Sequence, residues 1–136
     1  MKREIKFRAF LNSKHYEKPC MLSWGELLEQ YDAIDMFQRD MMTLMQYTEL
    51  KDKNGREIYE SDILKVTGED GESYVATVKW FGNEGYPAFD LEGIPASWSY
   101  DANALATIFQ SGVETCEVIG NIFEDKQLME GKYEQK

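Results

Sequence analysis

The sequence predicts an α+β fold that is mostly β, with a small mixed N-terminal part followed by a small C-terminal barrel. Three observations carry this. Short stretches that alternate apolar and polar residues recur after residue 60, separated by Gly, Asn and Asp turn signals. Only one stretch, about residues 24–38, shows strong helical spacing of apolar residues. At 136 residues, with 43% hydrophobic and 29% charged side chains, the chain can bury one core, or two small ones, without disulfide or metal staples.

The elements follow in order. Ile5-Lys6-Phe7-Arg8-Ala9-Phe10 alternates apolar and charged residues and predicts a strand with one wet face; Pro19 then breaks the chain. Ser23 and Glu26 form a capping-box pattern. After them Leu27, Leu28, Tyr31, Ile34 and Phe37 fall on one helical face, with Glu26, Glu29, Asp32 and Asp35 mostly on the other. Residues 44–50 predict a strand that ends in the turn Asp52-Lys53-Asn54-Gly55, since both residues of Asn-Gly accept positive φ. The methionines at 36–45 read as adaptable core filling. Ile58-Tyr59, Asp62–Val66 and Tyr74–Trp80 predict further strands, the last two joined at Glu69-Asp70-Gly71-Glu72. A loop over 82–87 leads to a short strand, Ala88–Leu91, stopped by Gly93 and Pro95. Asp101 or Asn103 caps a short helix ended by Gly112. Thr115–Phe123 predicts a strand in which Gly120-Asn121 marks a bulge or a close backbone approach. The polar stretch 125–136 predicts a last helical turn and a tail. The domain division expected is 1–60, with the central hairpin, and 61–136.

The formal net charge is −10, and it is unevenly spread. Residues 1–18 carry Lys2, Arg3, Lys6, Arg8, Lys14 and Lys18 against Glu4 and Glu17, a net +4. Residues 66–136 carry four Lys against thirteen Asp and Glu, a net −9. An acidic surface repels phosphate, so nucleic-acid binding is disfavoured except through the basic N-terminal segment. No apolar run reaches the length of a membrane span and no apolar stretch follows the charged start, so a cytoplasmic protein is expected. Cys20 and Cys116 form no C-x-x-C pair and are expected reduced and buried, and the lone His15 suggests no metal site.

Three segments carry a family resemblance. Glu4–Phe10 is similar to E-I-K-F-R-A-W, Leu44–Ile63 to M-Q-Y-T-G-L-K-D-K-N-G-K-E-I-Y-E-G-D-I, and Glu117–Glu124 to E-V-I-G-N-I-Y-E. In this order they resemble the YopX family of phage and prophage proteins. The resemblance implies an SH3-like barrel after the α+β part, a bacterial host cell as the setting, and no particular activity, substrate or cofactor. Glu49 and Ser61 stand where the family has glycine, which predicts strain if either site holds positive φ.

No nucleophile elbow or phosphate loop is present. The carboxylate pairs Glu57/Glu60 and Glu114/Glu117 read as solvated faces, and Cys20 lies five residues from His15 without further catalytic context. No catalytic residue, metal or cofactor is therefore expected. Two candidate binding sets remain. Trp80, Tyr86, Phe89, Trp98 and Tyr100, with Phe81, concentrate aromatic surface that could anchor a protein partner from host or phage, or a second copy. Gln46, Tyr47, Thr48 and Asp62, from the densest family segment, are candidates for a groove. The favoured function is a non-enzymatic protein-binding module; the alternative is nucleic-acid binding through the N-terminal segment.

Overall fold

The computed structural model describes residues 4–12, 19–100 and 102–131. With 38% of the chain in strands and 20% in helices, it is mostly β. It divides into two compact units, Met1–Glu49 and Leu50–Lys136.

In the first unit, β1 (Phe7–Leu11) pairs antiparallel with the short β2 (Met21–Leu22) and with β3 (Met42–Lys51), setting Ala9 opposite Leu22 and Leu44. One face of these strands gathers Ala9, Leu11 and Met42 with Leu27 and Met36. Met36, Met42 and Met45 are buried, as expected for core-filling methionines.

The expected single helix over 24–38 is two: α1 (Trp24–Leu28) and α2 (Ala33–Gln38). The capping box forms: Ser23 Oγ accepts from Glu26 N–H at 3.2 Å, and Glu26 Oε1 accepts from Ser23 N–H at 2.9 Å. Between the helices the backbone tightens into three-residue steps, Gln30 N–H to Leu27 C=O and Ala33 N–H to Gln30 C=O. That break changes which side chains turn inward. Leu27 and Met36 reach the core, whereas Leu28, Tyr31, Ile34 and Phe37, expected on the buried face, are exposed. Cys20, expected buried, is also exposed.

In the second unit, β5 (Asp62–Thr67), β6 (Ser73–Trp80), β7 (Phe89–Glu92) and β8 (Thr115–Asn121) form an antiparallel sheet in the order β7-β6-β5-β8. β4 (Glu57–Tyr59) precedes it. Of Tyr74, Ala76, Val78 and Trp80, which the alternation of β6 sets on one face, the first three meet Leu64 and Val66 of β5 in the core, whereas Trp80 at the strand's end is 40% exposed. A one-turn 3₁₀ helix, Gly82–Glu84, occupies the loop before β7. The helix α3 (Ala104–Ser111) is capped by Asn103, whose Oδ1 accepts from Ala106 N–H, and ends at Gly112 with φ +71°. Asn103 Nδ2 also donates to Phe89 C=O at 2.9 Å, and Leu105 N–H donates to Asp90 Oδ1 at 3.1 Å, which ties the start of α3 to β7. Ala104, Leu105 and Ile108 then enter the core. Asp101, the other expected cap, lies outside the described residues.

The predicted Gly-Asn irregularity is present. Ile63 pairs with Gly120 but Leu64 pairs with Val118, so Ile119 is bulged. A Cβ on Gly120 would lie 2.6–2.8 Å from the side chain of Asp125, which is the close approach that glycine permits. The strand ends at Asn121 rather than Phe123, because Asn121 Oδ1 accepts from Phe123 and Glu124 N–H and turns the chain. A last short helix, α4 (Gln127–Gly131), follows.

The Asp52–Gly55 turn also forms, but only Gly55 is at positive φ, +82°; Asn54 is not. The turn is closed by Gly55 N–H to Asp52 C=O at 2.9 Å. Glu49 and Ser61 do hold positive φ, +74° and +76°. For an L residue this region costs roughly 1–2 kcal/mol. Glu49→Gly and Ser61→Gly should therefore each raise stability, by roughly 0.5–1 kcal/mol after the added freedom of the unfolded chain. Urea midpoints would check this, and a lowered midpoint in both variants would refute it.

Candidate functional site

The second unit carries an open groove of about 620 Å³ between the β5–β6 turn, the segment 97–100 and the end of α3. The turn is built locally. Gly68 N–H donates to Glu72 C=O, Gly71 holds φ +91°, and Asp70 Oδ1 accepts from Glu72 N–H. This arrangement leaves Glu69 and Glu72 exposed at the groove's edge.

The aromatic wall comes from Trp98, half-buried against the core, its ring edge-on to Tyr74 at 4.7 Å between centroids. Its indole lies across Gly68, where a Cβ would come within 2.9 Å of the ring. Behind it runs a hydrogen-bonded relay. Tyr100 Oη donates to Glu114 at 3.0 and 3.2 Å to its two carboxylate oxygens, and lies 2.7 Å from Tyr74 Oη. With the Tyr100 proton committed to Glu114, Tyr74 is the donor to Tyr100. Burial, then the hydrogen bond to Tyr100 and the nearby charges of Glu114 and Asp90, push the Tyr74 phenol far above its ordinary value. Burial likewise raises Tyr100, with Glu114 adding to the rise. Both phenols are therefore neutral near pH 7, and the relay ties Tyr74, Tyr100 and Glu114 together.

Glu69, Asp70, Glu72 and Glu114 all line the groove, and among the described residues no Lys or Arg does. An apolar ring beside several carboxylates suits a cation carried on an alkyl stem, which can lay its methylenes on the indole and its charge among the acids.

The other aromatic candidates lie elsewhere. Trp80 is 40% exposed, folded over Gly82, and edge-on to half-buried Phe89 at 5.1 Å. Tyr86 stacks edge-on to Phe81 at 5.9 Å. Lys79 sits beside this patch, held between Glu84 at 2.7 Å and Glu92 at 3.1 Å, so a cation is already in place there. The structure thus brings Trp98 and Tyr100 into one groove, and Trp80, Phe89, Tyr86 and Phe81 into ring pairs near the 3₁₀ turn.

The family-segment candidates are placed as follows. Tyr47 is buried, its N–H donating to Lys6 C=O at 2.9 Å, with Lys6 Nζ 4.9 Å from its ring centroid. Gln46 and Thr48 are half-buried on the alternate face of β3. Asp62 is 1% exposed, and its Oδ2 accepts from Tyr59 N–H at 2.7 Å. The carboxylates of one Glu pair part company: Glu114 belongs to the groove, whereas Glu117 lies 3.9 Å from Lys53 Nζ. Of the basic N-terminal residues, Lys6 pairs with Glu4 at 3.2 Å and Arg8 is half-buried. Lys2, Arg3, Lys14 and Lys18 lie outside the described residues.

One residue that the sequence did not single out stands at the centre of the second unit's order. Asp52 is 6% exposed; its Oδ1 accepts from Asn54 and Arg56 N–H at 2.9 Å each, and its Oδ2 from Val118 N–H at 2.8 Å. Burial works to raise its pKa, but the three backbone N–H groups and Arg56 outweigh it and hold the carboxyl below its ordinary 3.8. Buried Cys116 nearby is pushed up to about 11, by burial first and the Asp52 charge second, so its thiol stays protonated. The only sequence signal for Asp52 was its place ahead of Asn-Gly. No helix among the described residues is long and apolar enough to cross a membrane.

Residues 6–130 match the family described as YopX protein. No curated protein matches the chain. Among solved structures it is similar to the crystal structure of protein EF1440 from Enterococcus faecalis, at 18% identity and a TM-score of 0.51, over 94% of this chain and 99% of that one. That likeness concerns the fold.

Proposed function

The chain belongs to the YopX family, and we propose that it is a non-enzymatic phage accessory protein that binds another protein in the cytoplasm of its bacterial host. The reading includes an SH3-like character for the curled sheet of the second unit. The observation that supports it is the groove in which Trp98 and Tyr100 stand beside Glu69, Asp70, Glu72 and Glu114, with no Lys or Arg among the described residues that line it. Such a groove takes an arginine- or lysine-bearing loop of a protein partner: the indole supplies contact area and the carboxylates speed encounter and select charge. The neutral, mutually bonded phenols favour a binding role over acid–base work, because neither is poised to exchange a proton near pH 7.

The test is capture of partners from host lysate by the tagged chain, with protein and nucleic acid analysed together. Glu69→Lys with Glu72→Lys changes only exposed side chains, so the fold should persist. One stoichiometric protein that is retained by the wild type, lost by this double variant, and weakened about tenfold or more by salt supports the reading. Nucleic acid in its place, retained through the basic N-terminal segment, or a protein bound equally by both forms, would overturn it.

A further inference from the structure

A second surface, in the first unit, carries an inference independent of the groove. Leu28, Tyr31, Ile34 and Phe37 recur every three residues across α1, the tightened turn and α2, and they are 65%, 98%, 76% and 50% exposed. Four large apolar side chains at this exposure within ten residues exceed the scattered exposure normal for a surface. None takes part in the unit's core, which Leu27 and Met36 serve instead.

Acidic residues are interleaved with the apolar ones along the chain. Glu29, Asp32 and Asp35 each follow an apolar member by one residue, and Glu26 and Asp40 flank the ends. The single cation of the stretch, Arg39, is bonded to Asp35 at 3.1–3.2 Å. Charge decides among the occupants. A second copy would set these same carboxylates against one another, and a nucleic acid or an anionic membrane would bring phosphates to them. A partner whose own apolar row is edged by Lys or Arg satisfies both sets at once.

We infer that Leu28, Tyr31, Ile34 and Phe37 form a docking surface for a basic amphipathic helix of a partner protein. The apolar residues supply the contact and the interleaved acids set the partner's sign and orientation.

The full-length chain can be titrated with two fluorescently labelled synthetic amphipathic helices, one of leucine and lysine and one of leucine and glutamate, together with a sequence-scrambled form of the first. The leucine–lysine helix should bind in preference to both others. Its affinity should fall about tenfold or more with Ile34→Ser plus Phe37→Ser, whose exposed positions leave the melting temperature unchanged. Equal binding of the leucine–glutamate or scrambled peptide, no binding, or unchanged affinity in the serine variant would each overturn the inference. A sedimentation mass of two copies that the serine variant returns to one would also overturn it, by assigning the surface to self-association.

Discussion

Asp52→Ala should destabilise the chain by about 2–4 kcal/mol. The carboxylate gathers three backbone N–H donors, from Asn54, Arg56 and Val118, the last sixty-six residues away in sequence and buried. Its removal leaves the Val118 donor without its acceptor inside the protein, and each orphaned buried donor costs roughly 1–3 kcal/mol. Asn54 and Arg56 are exposed and can turn their donors to water, so they add less. Asp52→Asn keeps one accepting oxygen and should recover part of the loss. The effect also carries a pH signature. The folded-state pKa lies below the unfolded value of 3.8, so the stabilisation is fully present above the unfolded value. It fades as pH falls through the lower folded pKa. Urea midpoints of wild type and Asp52→Ala should differ by a constant amount near neutrality and converge in acid. A gap that persists to the lowest pH at which the protein folds would show that the carboxylate's charge is not what matters.

Local chemistry was legible in the sequence wherever one side chain and its immediate neighbours decide the outcome. Ser23 and Glu26 cap as their spacing predicts, Gly112 ends α3 in the left-handed region, and the alternation of Tyr74, Ala76 and Val78 gives the inward face of β6. Glu49 and Ser61 stand where the family has glycine, which predicts strain if positive φ holds there, and both sites do hold it. Illegible were the outcomes set by distant partners. Leu28, Tyr31, Ile34 and Phe37 have the periodicity of a core face, yet tightened three-residue turns between Leu27 and Ala33 send inward Leu27 and Met36 instead. Asp52 resembles any turn aspartate until β8 brings Val118 N–H to it. The candidate groove was half legible: Trp98 and Tyr100 stood out as aromatic, whereas Glu114 and the 69–72 turn join them only through the hairpin and the end of α3.

That division predicts opposite behaviour for two aromatic residues that composition alone treats as equals. Trp98→Ala should cost about 2–3 kcal/mol, since the indole is packed on the core, edge-on to Tyr74 and laid across Gly68. Tyr86→Ala should cost under about 1 kcal/mol, because Tyr86 is exposed and loses chiefly its edge contact with Phe81. Binding should follow the same order. Trp98→Ala removes the groove's wall, and Trp98→Phe, which keeps a ring against Tyr74, should restore most of the stability but little of the affinity, since the smaller ring no longer reaches across Gly68. Thermal melts and partner titrations of the three variants separate the two roles. If Trp98→Phe restores affinity along with stability, the indole serves the fold and the recognition surface lies elsewhere. If Tyr86→Ala loses binding while melting like the wild type, that surface is the ring pair near the 3₁₀ turn, with Lys79 between its two glutamates, and the partner it takes is not selected by the carboxylates of the groove.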